Sequence, residues 1–295
     1  MSVALDRYGL ASRRASTQVI RTYSTSFALA SRLLRGQVRH DVVCVYALVR
    51  LADEVVDGAA TDAGLGSEGC RTALDALEAE TLAALRSGYS TNPIVQSFAE
   101  VASRVGVTPD LVVPFFASMR ADLDVTVHTP ASFRAYVYGS AEVVGLICLR
   151  CFLADDDAPA RTPDELARLE AGARALGAAF QKVNFLRDLG DDARTLGRRY
   201  FPGVDPERLD AATRDRLVAD VRHDLATARA VVPDLPPSSR AAVLATHALF
   251  AELARRIERT DPAALVAGRV RVPDPVKALL TARAVVEARL AGARS

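Results

Sequence analysis

The sequence contains no tryptophan, and only four cysteines and four histidines among 295 residues. Cys44 and Cys70 stand alone, and Cys148 and Cys151 form a single C-x-x-C with no second Cys or His pair at zinc spacing. That pair lies inside the apolar run VVGLICLRCFL, where residues three apart share a helix face, so packing explains it. A zinc module and a disulfide framework are thereby excluded, and four reduced thiols suit a cytoplasmic protein. Neither sign of charge is in excess: 37 basic residues face 36 acidic ones, which speaks against a nucleic-acid partner. No uninterrupted apolar run reaches 18 residues, so no membrane-spanning helix is expected. The first residues, MSVALDRYGLASRRAS, lack the apolar stretch of a secretory signal. There is no sustained strand alternation, no internal repeat and no domain linker.

What is abundant is hydrophobic, at 50% of the chain. With Ala, Leu, Arg and Val dominant, the chain reads as one all-α domain of roughly ten or more helices. Periodicity and breaker residues place helices at about 11–34, 38–57, 69–87, 93–105, 109–123, 130–153, 163–189, 206–231 and 238–260, with a last one after Pro275. The first is interrupted near Ser24-Thr25-Ser26-Phe27, where hydroxyls either cap a helix or meet an anion. Asp122 and Asp124, two residues apart, point in different directions on a helix and are expected to be solvated. Asp155-Asp156-Asp157 reads as a loop.

Two helices break the usual amphipathic rule. Gly177, Gln181, Asn184, Asp188 and Asp192 fall at offsets 0, 4, 7, 11 and 15, one stripe of a helix whose other faces hold Phe180, Val183, Phe185, Leu186 and Leu189. Tyr46, Arg50, Asp53 and Asp57 repeat those offsets between Val43, Val45, Ala47, Leu48 and Leu51. A buried carboxylate without compensation is too costly to be accidental, so each polar stripe must face a partner or a cavity. Paired aspartates at i,i+4 can share a cation. Oxygen donors with no His or Cys nearby suit Mg²⁺, with Mn²⁺ an allowed substitute. Mg²⁺ prefers one or two carboxylates plus substrate phosphate oxygens, and Arg50 and Arg187 suit the same anion as guanidinium forks. A diphosphate attached to an apolar tail, an isoprenyl diphosphate, fits both the stripes and their surroundings.

Over nearly its whole length the chain resembles the squalene/phytoene synthase family. The matching stretches are YSTSFALASRLL (23–34), VYALVRLADEVVD (45–57), YVYGSAEVVG (136–145), GAAFQKVNFLRDLGDDARTLGRRYFP (177–202) and, more weakly, RVRVP (269–273). The resemblance implies the isoprenoid synthase fold, helices around a central cavity, and 1′–1 coupling of two isoprenyl diphosphates. It implies metal ligands at Asp53, Asp57, Asn184, Asp188 and Asp192. It further implies diphosphate or substrate contacts at Ser24, Ser26, Tyr46, Arg50, Tyr138, Gly177, Gln181, Arg187, Tyr200 and Arg269, with Gly177 making room for the tail. Three positions depart from the family pattern: Glu142, beside Tyr138, where Gly is common; Phe250, where Tyr is common; and Asp191, where Glu is usual.

Reductive members of the family use NADPH and usually end in a membrane anchor. No G-x-G-x-x-G stands here between a strand and a helix, and the sequence ends in ARLAGARS, so no NADPH is expected. The expectation is a bacterial-type phytoene synthase acting on geranylgeranyl diphosphate, cytoplasmic, with peripheral membrane contact as one route for an apolar product. The alternatives are a farnesyl diphosphate enzyme making squalene, dehydrosqualene or presqualene diphosphate, and an inactive assembly protein on the same fold. A terpene cyclase is disfavoured because no acid but Asp192 occupies the end of its N-x-x-x-S/T-x-x-x-E motif.

Overall fold

A computed structural model describes residues 3–23, 30–155, 158 and 160–292. Thirteen α-helices follow one another among the described residues: α1 Val3–Tyr23, α2 Gly36–Asp57, α3 Ala59–Asp62, α4 Ser67–Ser87, α5 Pro93–Val105, α6 Pro109–Asp124, α7 Pro130–Val137, α8 Val143–Leu153, α9 Pro163–Asp191, α10 Ala211–Val231, α11 Pro237–Arg259, α12 Pro262–Ala267 and α13 Asp274–Gly292. The sole β-feature there is an isolated parallel bridge between Val127 and Arg199. Helix α1 begins eight residues earlier than the spacing suggested. Ser24, Thr25, Ser26 and Phe27 lie outside the described residues.

The ends are set by the expected chemistry. Asn92 accepts the backbone N–H groups of Ile94 and Val95 ahead of Pro93, and Thr162 and Glu165 form a capping box ahead of α9. Gly88 and Gly106 close α4 and α5 with φ near +74° and +72°, a conformation glycine adopts without steric cost.

Packing centres on α2 and α9. Helix α2 lies against α1, α4, α5, α6 and α8, and its Val38, Val45 and Leu48 join Phe98, Phe116 and Leu74 in one core. Helix α9 lies against α8, α10, α11 and α12, with Val183, Leu186 and Leu189 in a second core beside Val218, Leu253 and Ile257. Burying each such side chain is worth roughly 1.5–3 kcal/mol. Helix α8 touches both α2 and α9.

Residues 130–153 form two helices rather than one, joined by a π-helical turn at Tyr138–Glu142. By length and composition alone this stretch, of mean hydropathy 1.4, could cross a membrane; in the fold it packs against α6 and α9. Close approach explains the turn's small residues. A Cβ at Gly139 would strike the Pro114 carbonyl, and one at Gly145 the Ala173 carbonyl. All four cysteines are free thiols; burial pushes Cys44 up to about 11 and Cys148 to about 12, which keeps both protonated.

Candidate active site

The stripe of α2 opens toward the stripe of α9. Asp53 is half-buried, and burial, partly offset by Arg50 and reinforced by Asp57 and Glu54, pushes its carboxyl up to about 7. Asp192 is pushed up to about 6, first by burial and then by Asp188, with Arg198 opposing and Asp57 adding. The Asp57–Asp192 repulsion places the two motifs within electrostatic reach of each other. Neither Asp53 nor Asp192 has an ion-pair partner among the described residues.

The other acids are already held by arginines. Arg198 grips Asp57 with both terminal nitrogens, at 2.7 and 3.1 Å, and donates to the Asp122 carbonyl at 2.7 Å. Burial works against its charge, but Asp57, Asp122 and Tyr200 together hold Arg198 above its ordinary range. Asp188 receives Arg187 through Nε at 2.9 Å and Nη2 at 2.5 Å, and Arg269 through Nε at 2.8 Å. Arg50 pairs with Glu54, one turn along α2, and its guanidinium lies 4.5 Å above the Tyr23 ring. Its Nε is buried without a hydrogen-bond partner.

Asp122 corrects the expectation of a solvated carboxylate. Its side chain is 7% exposed, and Tyr136 Oη donates to both its oxygens at 2.7 and 2.9 Å. Burial raises its carboxyl to about 7, against Arg198 and the Tyr136 bond and together with Asp57 and Asp53. Asp124 is the half-exposed one, paired with Arg71. The signal was present in the sequence: Leu111, Phe115, Ser118 and Asp122 stand at offsets 0, 4, 7 and 11, the pattern that singled out the other two helices.

Arg198 and Tyr200 are placed by the short extended segment after α9. A π-helical turn at Asp192–Leu196 ends in Gly197 at φ 65°, and Arg199 N–H then donates to the Thr126 carbonyl at 2.7 Å. Extended backbone alternates its side chains, so Arg198 and Tyr200 turn inward while Arg199 faces solvent. Tyr200 stacks on Phe185 at 3.8 Å between centroids and lies near Tyr136 and His128. Burial lifts the Tyr136 and Tyr200 hydroxyls well above their usual range and lowers the His128 imidazole.

The remaining expected residues sort as follows. Tyr46, Gln181 and Asn184 are half-buried on their stripes. Over the Tyr138 ring lies the Arg174 guanidinium, at 5.4 Å, and Arg174 pairs with Glu142 at 2.7 Å. Tyr136 is the tyrosine that donates to Asp122. Gly177 does make room, but a Cβ there would lie 2.5 Å from the Ala141 carbonyl, so that space is taken by the neighbouring backbone. Phe250 packs against Phe180, with ring centroids 4.3 Å apart and planes tilted by 57°, and brings no hydroxyl. Ser24 and Ser26 fall outside the described residues.

A small apolar cavity of about 10 Å³, lined by Val45, Leu48, Val49, Phe98, Val112, Phe115, Val144 and Ile147, lies between α2, α5, α6 and α8. Val49 and Val45 precede Asp53 by one and two turns, roughly 6 and 12 Å along α2. Among the described residues no three His, Cys, Asp or Glu side chains already stand close enough to chelate an ion. The donor set nevertheless fits a hard divalent cation bound with phosphate oxygens: every donor is oxygen, and the ionised forms of Asp53 and Asp192 are only partly compensated, by Arg50 and Arg198.

A family model for squalene/phytoene synthase matches residues 20–275. The chain is 31% identical over 270 residues to a 15-cis-phytoene synthase of a Paracoccus species, covering 84% of this chain and 83% of that one. It is 29% identical over 263 residues to a phytoene synthase of Pseudescherichia vulneris, covering 82% and 81%. A ligand-bound dehydrosqualene synthase superposes with a TM-score of 0.76 at 20% identity, over 97% of this chain and 99% of that one. A squalene synthase from Alicyclobacillus acidocaldarius follows at 0.72 and 20%, over 88% and 96%. The fold is that of these synthases, and the chain belongs to the squalene/phytoene synthase family.

Proposed function

We propose that the protein is a prenyltransferase that couples two molecules of geranylgeranyl diphosphate, 1′ to 1, into phytoene in carotenoid biosynthesis. The carrying observation is the facing of two aspartate stripes, flanked by Arg50, Arg187, Arg198 and Arg269, on helices whose other faces are apolar. Relatives named phytoene synthase support the C20 substrate. Asp53, Asp57, Asn184, Asp188 and Asp192 would hold Mg²⁺, which when bound supplies positive charge to the departing diphosphate. Arg187, Arg198 and Arg269 orient the same anion, and the apolar walls keep water from the allylic cation.

One substrate loses diphosphate as its C1–O bond breaks. The double bond of the other attacks the cation, and loss of a proton closes a cyclopropane ring. Its own C–O bond then breaks, the skeleton rearranges, and a second proton leaves. Two diphosphates and one 40-carbon hydrocarbon result, with no reductant consumed.

The alternative within the family is condensation of farnesyl diphosphate to a 30-carbon product. An inactive assembly protein on the same fold is the alternative of another class, and the presence of all four motif aspartates weighs against it. Incubation with Mg²⁺ and each diphosphate separately, without NADPH, decides among them. A 40-carbon hydrocarbon from the C20 substrate is expected. A product from farnesyl diphosphate alone would move the assignment to the C15 branch, and no product from either would overturn it.

A further inference from the structure

The Arg198 guanidinium is shared by two carboxylates that are held in different ways. Asp57 takes both terminal nitrogens, at 2.7 and 3.1 Å, and is 43% exposed at the end of α2. Asp122 is 7% exposed, with Oδ1 3.9 Å from Nη1, and its backbone carbonyl accepts from Nη2 at 2.7 Å. Among the described residues no other acid stands within ion-pair distance of Arg198.

Asp122 lacks the freedom of Asp57. Tyr136 Oη donates to both its oxygens at 2.7 and 2.9 Å. Tyr136 is itself fixed, because its ring packs among His128, Phe185 and Tyr200. Its carbonyl also accepts from Ser118 Oγ at 3.1 Å, one turn before Asp122 on α6. Two contacts thus tie α7 to consecutive turns of α6, and the Asp122 carboxylate is one of the two anchor points.

The two carboxylates serve Arg198 unequally once Asp57 is committed to a cation. A carboxylate that neutralises a divalent ion attracts a guanidinium less. The Arg198 side chain is only 9% exposed, where an uncompensated charge is costly, and Asp122 is the acid left to hold it. Burial first, with Asp57 and Asp53 adding to it, pushes the Asp122 carboxyl up to about 7. Positive charge on Asp53 and Asp57 removes that repulsion and favours the ionised form beside Arg198.

We propose that Asp122, locked by Tyr136, is a positioning residue: it keeps the Arg198 guanidinium in place when Asp57 turns to a cation, so that the terminal nitrogens Asp57 releases are presented to a diphosphate. This rests on the reading of Asp57 as a cation ligand and of diphosphate as the leaving group. Asp122 acts on the anion only through Arg198.

The test is calorimetric titration of the full chain with inorganic diphosphate in saturating Mg²⁺, without prenyl substrate. Asp122→Asn keeps the size of the side chain and an oxygen to accept from Tyr136, but removes the charge. It should bind diphosphate about tenfold more weakly, the scale on which loss of an outer partner is felt at a ligand site, with far-ultraviolet circular dichroism unchanged. Arg198→Leu should weaken binding as well. The double variant Arg198→Leu/Asp122→Asn should bind no more weakly than Arg198→Leu alone, because both residues act through one guanidinium. A purely structural Asp122 would instead add its loss to that of Arg198. Unchanged affinity in Asp122→Asn, or additive losses in the double variant, would overturn the proposal and leave the cation–diphosphate reading standing. No diphosphate binding by the parent chain would overturn both.

Discussion

Arg198 and Asp57 are 141 residues apart in the chain, yet they meet in a two-point ion pair at 2.7 and 3.1 Å. That pair joins the end of the first aspartate stripe to the segment that follows the second. It also fixes Tyr200 and Asp122 around one guanidinium.

Arg198→Leu should destabilise the protein by about 2–3 kcal/mol in chemical denaturation. A fully buried pair broken on one side costs about 3–5 kcal/mol, but Asp57 is 43% exposed and water compensates part of the loss. Activity should fall at least about a hundredfold. A stable, fully active variant would remove Arg198 from the site.

Asp53→Ala and Asp188→Ala should each abolish product formation while leaving far-ultraviolet circular dichroism unchanged, because neither carboxylate is needed to complete a core. Retained activity in Asp188→Ala would refute the metal assignment.

Asp122 gives a pH dependence of defined sign. Its folded-state pKa, about 7, lies above the ordinary 3.8, so the stability it contributes is full below about pH 4 and is lost as pH rises through about 7. Without metal, Asp122→Asn should then be more stable than the parent at pH 8, on the order of 1–3 kcal/mol, with Tyr136 still donating to the amide oxygen. The difference should shrink toward zero near pH 4. An equal difference at both pH values would contradict a carboxylate whose charged form burial disfavours.

Gly177→Ala tests whether that glycine serves packing or ligand. The added Cβ would press on the Ala141 carbonyl, so a loss of about 1–3 kcal/mol is expected even without substrate. Unchanged stability with altered product length would favour the ligand.

The helices and both aspartate stripes were legible because a 3.6-residue period converts sequence offsets directly into faces. Asp122 follows the same rule, but its face shows only against Leu111, Phe115 and Ser118, not against Asp124, which lies two residues away on another face. Arg198 could not be reached that way. It sits in extended chain beyond a π-helical turn, where no period applies, and only its tie to Thr126 through Arg199 aims it inward. Tyr136 and Tyr138 were indistinguishable for a related reason. The π-helical turn that starts at Tyr138 shifts the helical phase, which a regular helix would have kept.

The most direct test of the account is hydrocarbon formation by the purified chain from geranylgeranyl diphosphate with Mg²⁺ and no NADPH, with and without a chelator. A 40-carbon product with two diphosphates released per product, abolished by the chelator, is the predicted result. Unconsumed substrate under the same conditions, or the same product in the presence of chelator, would contradict a metal–diphosphate clamp built from the two aspartate helices.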